Sequence, residues 1–377
     1  MCSKLIVAGG GIGGLAAAFA LRRAGREVAV YERAPAFAEV GAGLSLWPNA
    51  TRILQAWGLL EAVLALGEPV AGFDLRRPDG SLIAGVSLAE FAAPALCLHR
   101  ADLHRVLLRA LPESCLTASQ RLEEFQAGQG GVRARFSSGL EVRADGLVAA
   151  DGINSVVRKQ LHGGGEPSYR GYSIWRGIAP AVPGCVRGRN SETWGQGRRF
   201  GIMPIGQDRI CWYATRNGPP DQAGSPATWK AELQERFQAW HAPIPALIAA
   251  AAAGDLIRVE ARDREPLRRW GAGRVTLLGD AAHPITPNLG QGAGLAIEDA
   301  ACLAKCLDGA ADLAAAFRAY EDRRRSRTAR VARQARRLGA IGQWAHPGLM
   351  AARELVARIV LRREPGALLK DLYSYEI

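Results

Sequence analysis

Apolar runs and apolar periods divide this chain into strands and helices before any chemistry is considered. Leu5-Ile6-Val7-Ala8 is an unbroken apolar run that stops at Gly9 and gives way to a helical apolar period from Leu15 to Ala24. A second run, Val28-Ala29-Val30-Tyr31, ends in Glu32. Pro48-Asn49 and Gly58 frame a short helix by cap logic. Pro78-Asp79-Gly80 turns a hairpin, and Ser137-Ser138-Gly139 joins two alternating strands. Tyr172 to Ile178, Arg199 to Ile205 and Arg209 to Ala214 read as strands of one sheet, with aromatics on alternate positions. Loops at Asn217-Gly218-Pro219-Pro220 and Ala223-Gly224-Ser225-Pro226 precede a helix from Thr228 to Trp240. Arg274-Val275-Thr276-Leu277-Leu278 is a buried strand, and a stretch rich in Pro and Gly separates it from a helix at Leu295-Ala296-Ile297-Glu298.

The first junction carries chemistry. Gly9-Gly10-Gly11-Ile12-Gly13-Gly14 lies between a strand and a helix, the arrangement of a dinucleotide fingerprint. Gly9 permits the turn, Gly11 lets a pyrophosphate approach the N–H groups of the helix start, and Gly14 lets helix and strand pack closely. Glu32 then stands roughly 20 residues on, where a carboxylate accepts hydrogen bonds from a ribose diol. The acid favours an unphosphorylated adenosine ribose, which fits NAD or FAD.

The last strand decides between them. It delivers Gly279-Asp280-Ala281-Ala282-His283-Pro284, and the loop Pro287-Asn288-Leu289-Gly290-Gln291-Gly292-Ala293-Gly294 opens the next helix. A carboxylate at a strand end can hold the ribityl or ribose hydroxyls of an extended cofactor. Free N–H groups and a positive dipole behind Gly292 stabilise negative charge on the N1–C2=O edge of a reduced flavin, an anion that NAD lacks.

With these motifs the chain resembles the FAD-dependent aromatic hydroxylases of the para-hydroxybenzoate hydroxylase type, in the branch of salicylate-, 6-hydroxynicotinate-, urate- and zeaxanthin-oxidising enzymes. A third motif, Asp151-Gly152 in Leu147-Val148-Ala149-Ala150-Asp151-Gly152-Ile153-Asn154-Ser155, belongs to the same pattern, as do the stretches from Val40 to Asn49, His99 to Leu103 and Trp194 to Gly201. The resemblance implies an α/β fold with a glutathione-reductase-type Rossmann domain at 1–70, 98–168 and 268–330. A β-sheet substrate domain at 71–97 and 169–267 interrupts it, its aromatic strands roofing the flavin ring, and 331–377 form a C-terminal helical segment. It implies non-covalent FAD held by Gly9, Gly11, Ile12, Gly14, Glu32, Arg33, Ser45, Arg100, Leu122, Asp151, Asp280, Gly290, Gly292, Ala293 and Gly294, with Asp151 also serving a transient NADPH. The implied reaction uses NADPH or NADH and O2 to form a flavin C4a-hydroperoxide, which inserts one oxygen atom into an aromatic or heteroaromatic ring or an alkene.

For the substrate, Arg176 and Arg199 on the roof can each hold a carboxylate or enolate by a two-pronged hydrogen bond, with structural ion pairing the competing account. Cys211 and Tyr213 are further substrate candidates, and Cys211 stands where urate-oxidising members have a tyrosine, which argues against urate. Gln291 is expected to face the flavin and Pro287 to stiffen the backbone beside C4a, so Arg199, Gln291 and Pro287 are the catalytic candidates. Trp175, Trp212 and Tyr213 are more often core than ligand, which competes with the substrate reading of Tyr213.

Composition narrows the partners. The chain has 377 residues, 48% of them hydrophobic, and a formal net charge of +12, which suits anionic cofactors and a small aromatic or polyene substrate, itself anionic in one reading. The arginines from Arg318 to Arg337 lie on one helix and are expected to form a solvated face, with an anion or membrane surface the alternative. No aromatics interleave there, so nucleic acid is not a partner, and nothing else indicates membrane contact. Seven cysteines without a CxxC pair read as reduced thiols of a soluble cytoplasmic monomer or homodimer, and six histidines show no metal-ligand spacing, so no metal is expected. Two alternatives remain: a flavin dehydrogenase or reductase that never uses O2, and a non-enzymatic protein on the same fold, like the prenyl-GTPase escort proteins.

Overall fold

The computed structural model describes residues 3–38, 41–88, 91–220, 224–363 and 367–377; Cys2, Val40 and Ala223, which enter the sequence reading, lie outside them. In chain order, β1 (Lys4–Ala8), α1 (Ile12–Arg23) and β2 (Glu27–Tyr31) are followed by β3 (Gly43–Leu46), α2 (Pro48–Ala56), α3 (Leu60–Leu64) and β4 (Glu68–Val70). The hairpin β5 (Gly72–Arg76) and β6 (Leu82–Ser87) precedes β7 (Ala95–His99), α4 (Arg100–Arg109), β8 (Leu116–Thr117), β9 (Leu122–Gly128), β10 (Gly131–Phe136), β11 (Glu141–Ala144), β12 (Gly146–Ala149) and α5 (Val156–His162). Next come β13 (Ser168–Pro180), β14 (Arg189–Trp194), β15 (Arg198–Pro204), β16 (Arg209–Asn217), α6 (Pro226–Phe237), α7 (Ile244–Ala250) and β17 (Ile257–Asp263). The chain ends with β18 (Val275–Leu277), α8 (Gly292–Leu307), α9 (Leu313–Gly342), α10 (Pro347–Arg363) and α11 (Ala367–Tyr373).

Two sheets dominate. A five-stranded parallel sheet has the order β18-β12-β1-β2-β8. Its middle strand is apolar without alternation because both faces are covered, one by helices such as α1 and the other by the three-stranded sheet β11-β10-β9, and Leu5, Ile6 and Val7 are fully buried. The second sheet, β17-β13-β16-β15-β14-β5-β6, draws its strands from two separate stretches of chain. The strands and the hairpin turn expected from the sequence are all present.

The period of two in this second sheet sorts side chains onto opposite faces. Trp175, Phe200 and Trp212 point to one face, into a core shared with Phe237, Trp240 and Leu247 of α6, α7 and the segment between. The roof is therefore not the aromatic surface expected. The alternate set that faces inward is Ile174, Arg176, Arg199, Met203, Cys211, Tyr213 and Thr215. Gly201 carries no side chain on that face because a Cβ there would stand 2.1 Å from the Tyr213 ring.

The arginine-rich helix α9 also departs from expectation. Arg324 and Arg327 are 0% and 2% exposed, not solvated, because Glu298 and Asp299 of α8 meet them in the interior. Arg323, Arg333 and Arg337 do lie on an exposed face. No helix of the described residues is long and apolar enough to cross a membrane.

Candidate active site

A cleft of about 1010 Å³ runs between the carboxyl ends of the parallel strands and the inward face of the second sheet. Two helices begin on it. Neither α1 nor α8 has a side-chain cap or an acidic residue in its first turn, so their leading N–H groups are left for an anion. The backbone shape at the first of them demands glycine. Gly9 has φ 107°, a Cβ on it would lie 2.3 Å from the Ala150 oxygen, and a Cβ on Gly14 would lie 1.9 Å from the Gly9 oxygen. At Gly292 a Cβ would meet nothing within 4 Å, because the cleft itself lies there.

Carboxylates stand along the same cleft. Glu32 is fixed at the end of β2 by the N–H groups of Gly10, at 2.6 Å, and Ala34, at 2.8 Å, leaving lone pairs for a diol. Asp151 accepts from the Val156 N–H at 2.8 Å through one oxygen, while its other oxygen is buried without a partner. Burial raises the Asp151 pKa. Asp280, just beyond β18, is walled in by protein, yet its carboxylate surface is exposed to the cleft. Burial raises its pKa too, with His283 and Arg100 opposing the rise. Arg33, Ser45, Arg100, Leu122, Gly11, Ile12, Gly290 and Ala293 also line the cleft, as does the exposed Pro287.

Three expected site residues do not line it. Gly14 and Gly294 lie behind the surface, where they allow close packing. Gln291 is 0% exposed, and its Oε1 accepts from Asn49 Nδ2 at 3.0 Å, so the amide is turned inward and not toward the ring of a flavin.

The two roof arginines prove different in kind. Arg199 is fully engaged: Nε donates to Gln343 at 2.9 Å, and the two terminal nitrogens donate to Glu192 at 2.9 Å and Asn288 at 2.8 Å. Burial alone would lower its pKa, and the Glu192 carboxylate reverses that. Structural pairing is thus its first role. Arg176 lines the cleft and makes no hydrogen bond or ion pair with any described residue, although packing around it lowers its pKa. Beside it the Cys211 thiol, which accepts from the Gly43 N–H at 3.1 Å, is pushed up to about 11 by burial and stays neutral. Burial likewise holds the Tyr213 phenol well above its ordinary pKa, with Glu192 adding to the shift.

Such a cleft fits an extended dinucleotide with a flavin at one end. The glycine cradle would meet its pyrophosphate, Glu32 a ribose, and the α8 terminus an anionic ring edge. The model of the FAD binding domain matches residues 2–335. Aurachin C monooxygenase/isomerase of Stigmatella aurantiaca is 41% identical over 360 residues, covering 94% of each chain. The 6-hydroxynicotinate 3-monooxygenase of Bordetella bronchiseptica is 35% identical over 350 residues, covering 88% of this chain and 90% of the relative. The chain belongs to the FAD-dependent aromatic hydroxylases. It is an NAD(P)H-dependent FAD monooxygenase. Among solved structures, Klebsiella pneumoniae HpxO complexed with FAD and uric acid superposes with a TM-score of 0.92 at 30% identity, over 98% of this chain and 97% of that one.

Several residues of this hydroxylase's site escaped the sequence reading. Asn288 ties the cofactor loop to the roof, accepting from Arg199 and donating to the Tyr172 hydroxyl at 2.9 Å and to the Ala335 carbonyl at 2.9 Å. Thr215 lies two residues past Tyr213, so strand alternation could have found it. Glu192 and Gln343 gave no local signal. Among the described residues no group of three or more His, Cys, Asp or Glu side chains is placed to hold a metal ion.

Proposed function

We propose that this hydroxylase acts on a planar aromatic or heteroaromatic ring bearing an anionic or hydrogen-bond-accepting group, and that Arg176 orients the ring by that group. The observation that carries this reading is the guanidinium of Arg176, held in the roof with no hydrogen-bond or ion-pair partner among the described residues and open to the cleft. A half-buried guanidinium at the cleft wall with no counter-charge beside it has its donors left for an anionic or accepting ligand group. Ile174, Met203, Ile257 and Val259 supply apolar walls that keep water from the reacting ring. The neutral Cys211 thiol leaves room where a larger side chain would crowd the ring. The names of two similar proteins support the substrate class, since 6-hydroxynicotinate and uric acid are both nitrogen-containing rings with acidic or carbonyl groups.

FAD supplies the redox and O2 chemistry when bound. The N–H groups at the start of α1 would hold its pyrophosphate, Glu32 the adenosine ribose, and Asp280 hydroxyls of the chain between phosphate and ring. The start of α8 would stabilise its reduced, anionic form. Asp151, with one oxygen unpartnered, is placed to serve FAD or the pyridine nucleotide.

The test is a panel of aromatic acids, phenols and hydroxylated N-heterocycles, scored for acceleration of flavin reduction by NADPH under anaerobic conditions. An active compound should lose affinity roughly 10–100-fold in Arg176→Met with flavin content unchanged, the loss expected for a charge-assisted hydrogen bond. An Arg176→Met enzyme that binds its substrate as tightly as the wild type would end this reading.

A further inference from the structure

The helix α10 carries an apolar stripe on the face it turns to solvent. Its inner face is occupied. Arg353, 2% exposed, donates to the carbonyls of Gly342 and Gly195, both at 2.7 Å, and Ala357 packs with Leu75, Ile83, Trp194 and Leu338. Its outer face carries Leu349, Leu355, Val356 and Ile359, which are 44%, 58%, 57% and 45% exposed. Among the described residues these four are half of the large apolar side chains left exposed, the others being scattered at Leu82, Leu140, Val186 and Val259. Spacings of three and four residues put Leu355, Val356 and Ile359 on one stripe. A surface helix with such a stripe is built to be covered.

Charge decides by what. Arg358 on α10 and Arg333 and Arg337 on the exposed side of α9 make no ion pair with any described residue, and α9 meets α10 at Leu338, the residue after Arg337, in the Ala357 cluster. The chain as a whole carries a formal net charge of +12. A second copy on this face would set like charge against like, whereas an anionic surface meets complementary charge. We propose that α10 docks the enzyme peripherally on an anionic phospholipid surface, its outer apolar stripe entering the headgroup boundary while neighbouring arginines meet the lipid phosphates.

Flotation of the holoenzyme with vesicles of equal parts phosphatidylcholine and phosphatidylglycerol tests this. Wild type should float with these vesicles, weakly with phosphatidylcholine alone, and less in high salt. Leu355→Glu with Ile359→Glu should reduce the bound fraction roughly tenfold, and so should Arg333→Glu with Arg337→Glu, both with unchanged flavin content. Wild-type protein that stays in solution, or an apolar-face variant that floats as well as wild type, overturns the proposal. So does light scattering that shows a dimer which only the apolar-face substitutions dissolve, since a second copy would then be the occupant.

Discussion

Asp280 carries two opposed demands, and its environment predicts how each is met. Burial lifts its pKa above the ordinary aspartate value, His283 and Arg100 pull it back, and Asp299 adds to the rise. The folded apoprotein therefore holds this proton more tightly than the unfolded chain does. Its stabilising contribution is full at low pH and is lost as pH rises from the ordinary aspartate range through the raised value. Above that window the apoprotein keeps an ionised carboxylate at the cleft surface, crowded by protein on its other sides, whose hydroxyl partners arrive with FAD. Asp280→Asn is expected to raise the melting point of the apoprotein at neutral pH while weakening FAD by about tenfold or more. Differential scanning fluorimetry and flavin fluorescence titration give both numbers, and unchanged FAD affinity would remove Asp280 from the site. Residues of this kind, fixed by a motif at a strand end, were readable in the sequence. Arg176 and Arg199 were not separable there, because what distinguishes them is the set of partners around Arg199, with Asn288 and Gln343 lying 89 and 144 residues away in the chain.

At the scale of elements, the β1-α1-β2 unit was legible because its glycines, apolar runs and acid are all local. Helix α9 was legible as a helix but not in its environment. A row of arginines reads as a solvated face unless acids on another helix meet it, and Glu298 and Asp299 do so from α8. Arg324 bonds Asp299 through Nε at 2.7 Å and pairs with Glu298 at 2.7 Å. Asp299 in turn holds the Gly279 N–H at 3.0 Å and His283 Nε2 at 2.6 Å, directly beneath the segment that presents Asp280. Arg327 extends the network to the chain's end by donating to the Leu372 carbonyl at 2.8 Å. Removing Arg324 leaves the buried Asp299 without its arginine while Glu298 keeps Arg327, a loss of about 3–5 kcal/mol. Arg324→Leu should lower the urea midpoint by an amount of that size and reduce flavin content. Arg323→Leu, one position away on the exposed face, should change stability by less than about 0.5 kcal/mol. Equal effects of the two substitutions on denaturation would mean the network contributes nothing beyond helix packing.

For the whole molecule, the order of the second sheet was the least legible feature. Its parallel pairing of β14 with β5 joins Arg189 to Gly72 across more than a hundred residues, and no local pattern encodes such a register. That pairing makes one sheet out of two separate stretches of chain, and the cleft then takes one wall from it and one from the parallel sheet. A ligand in the cleft touches both walls and should stabilise both. Free FAD at a hundredfold excess over its dissociation constant adds about 2.7 kcal/mol to the stability of whatever it binds in the folded state alone. Trp175, Trp212 and Trp240 are buried behind the second sheet, on the side away from the cleft, and in a variant with Trp47, Trp57 and Trp270 replaced by Phe they dominate a signal that reports that sheet's unfolding without touching the ligand. Their fluorescence transition in apoprotein should move to higher temperature as FAD is added, in step with the transition followed by flavin release. A tryptophan transition indifferent to FAD would show that the cofactor is held by the parallel sheet alone, and that the roof closes only when substrate enters.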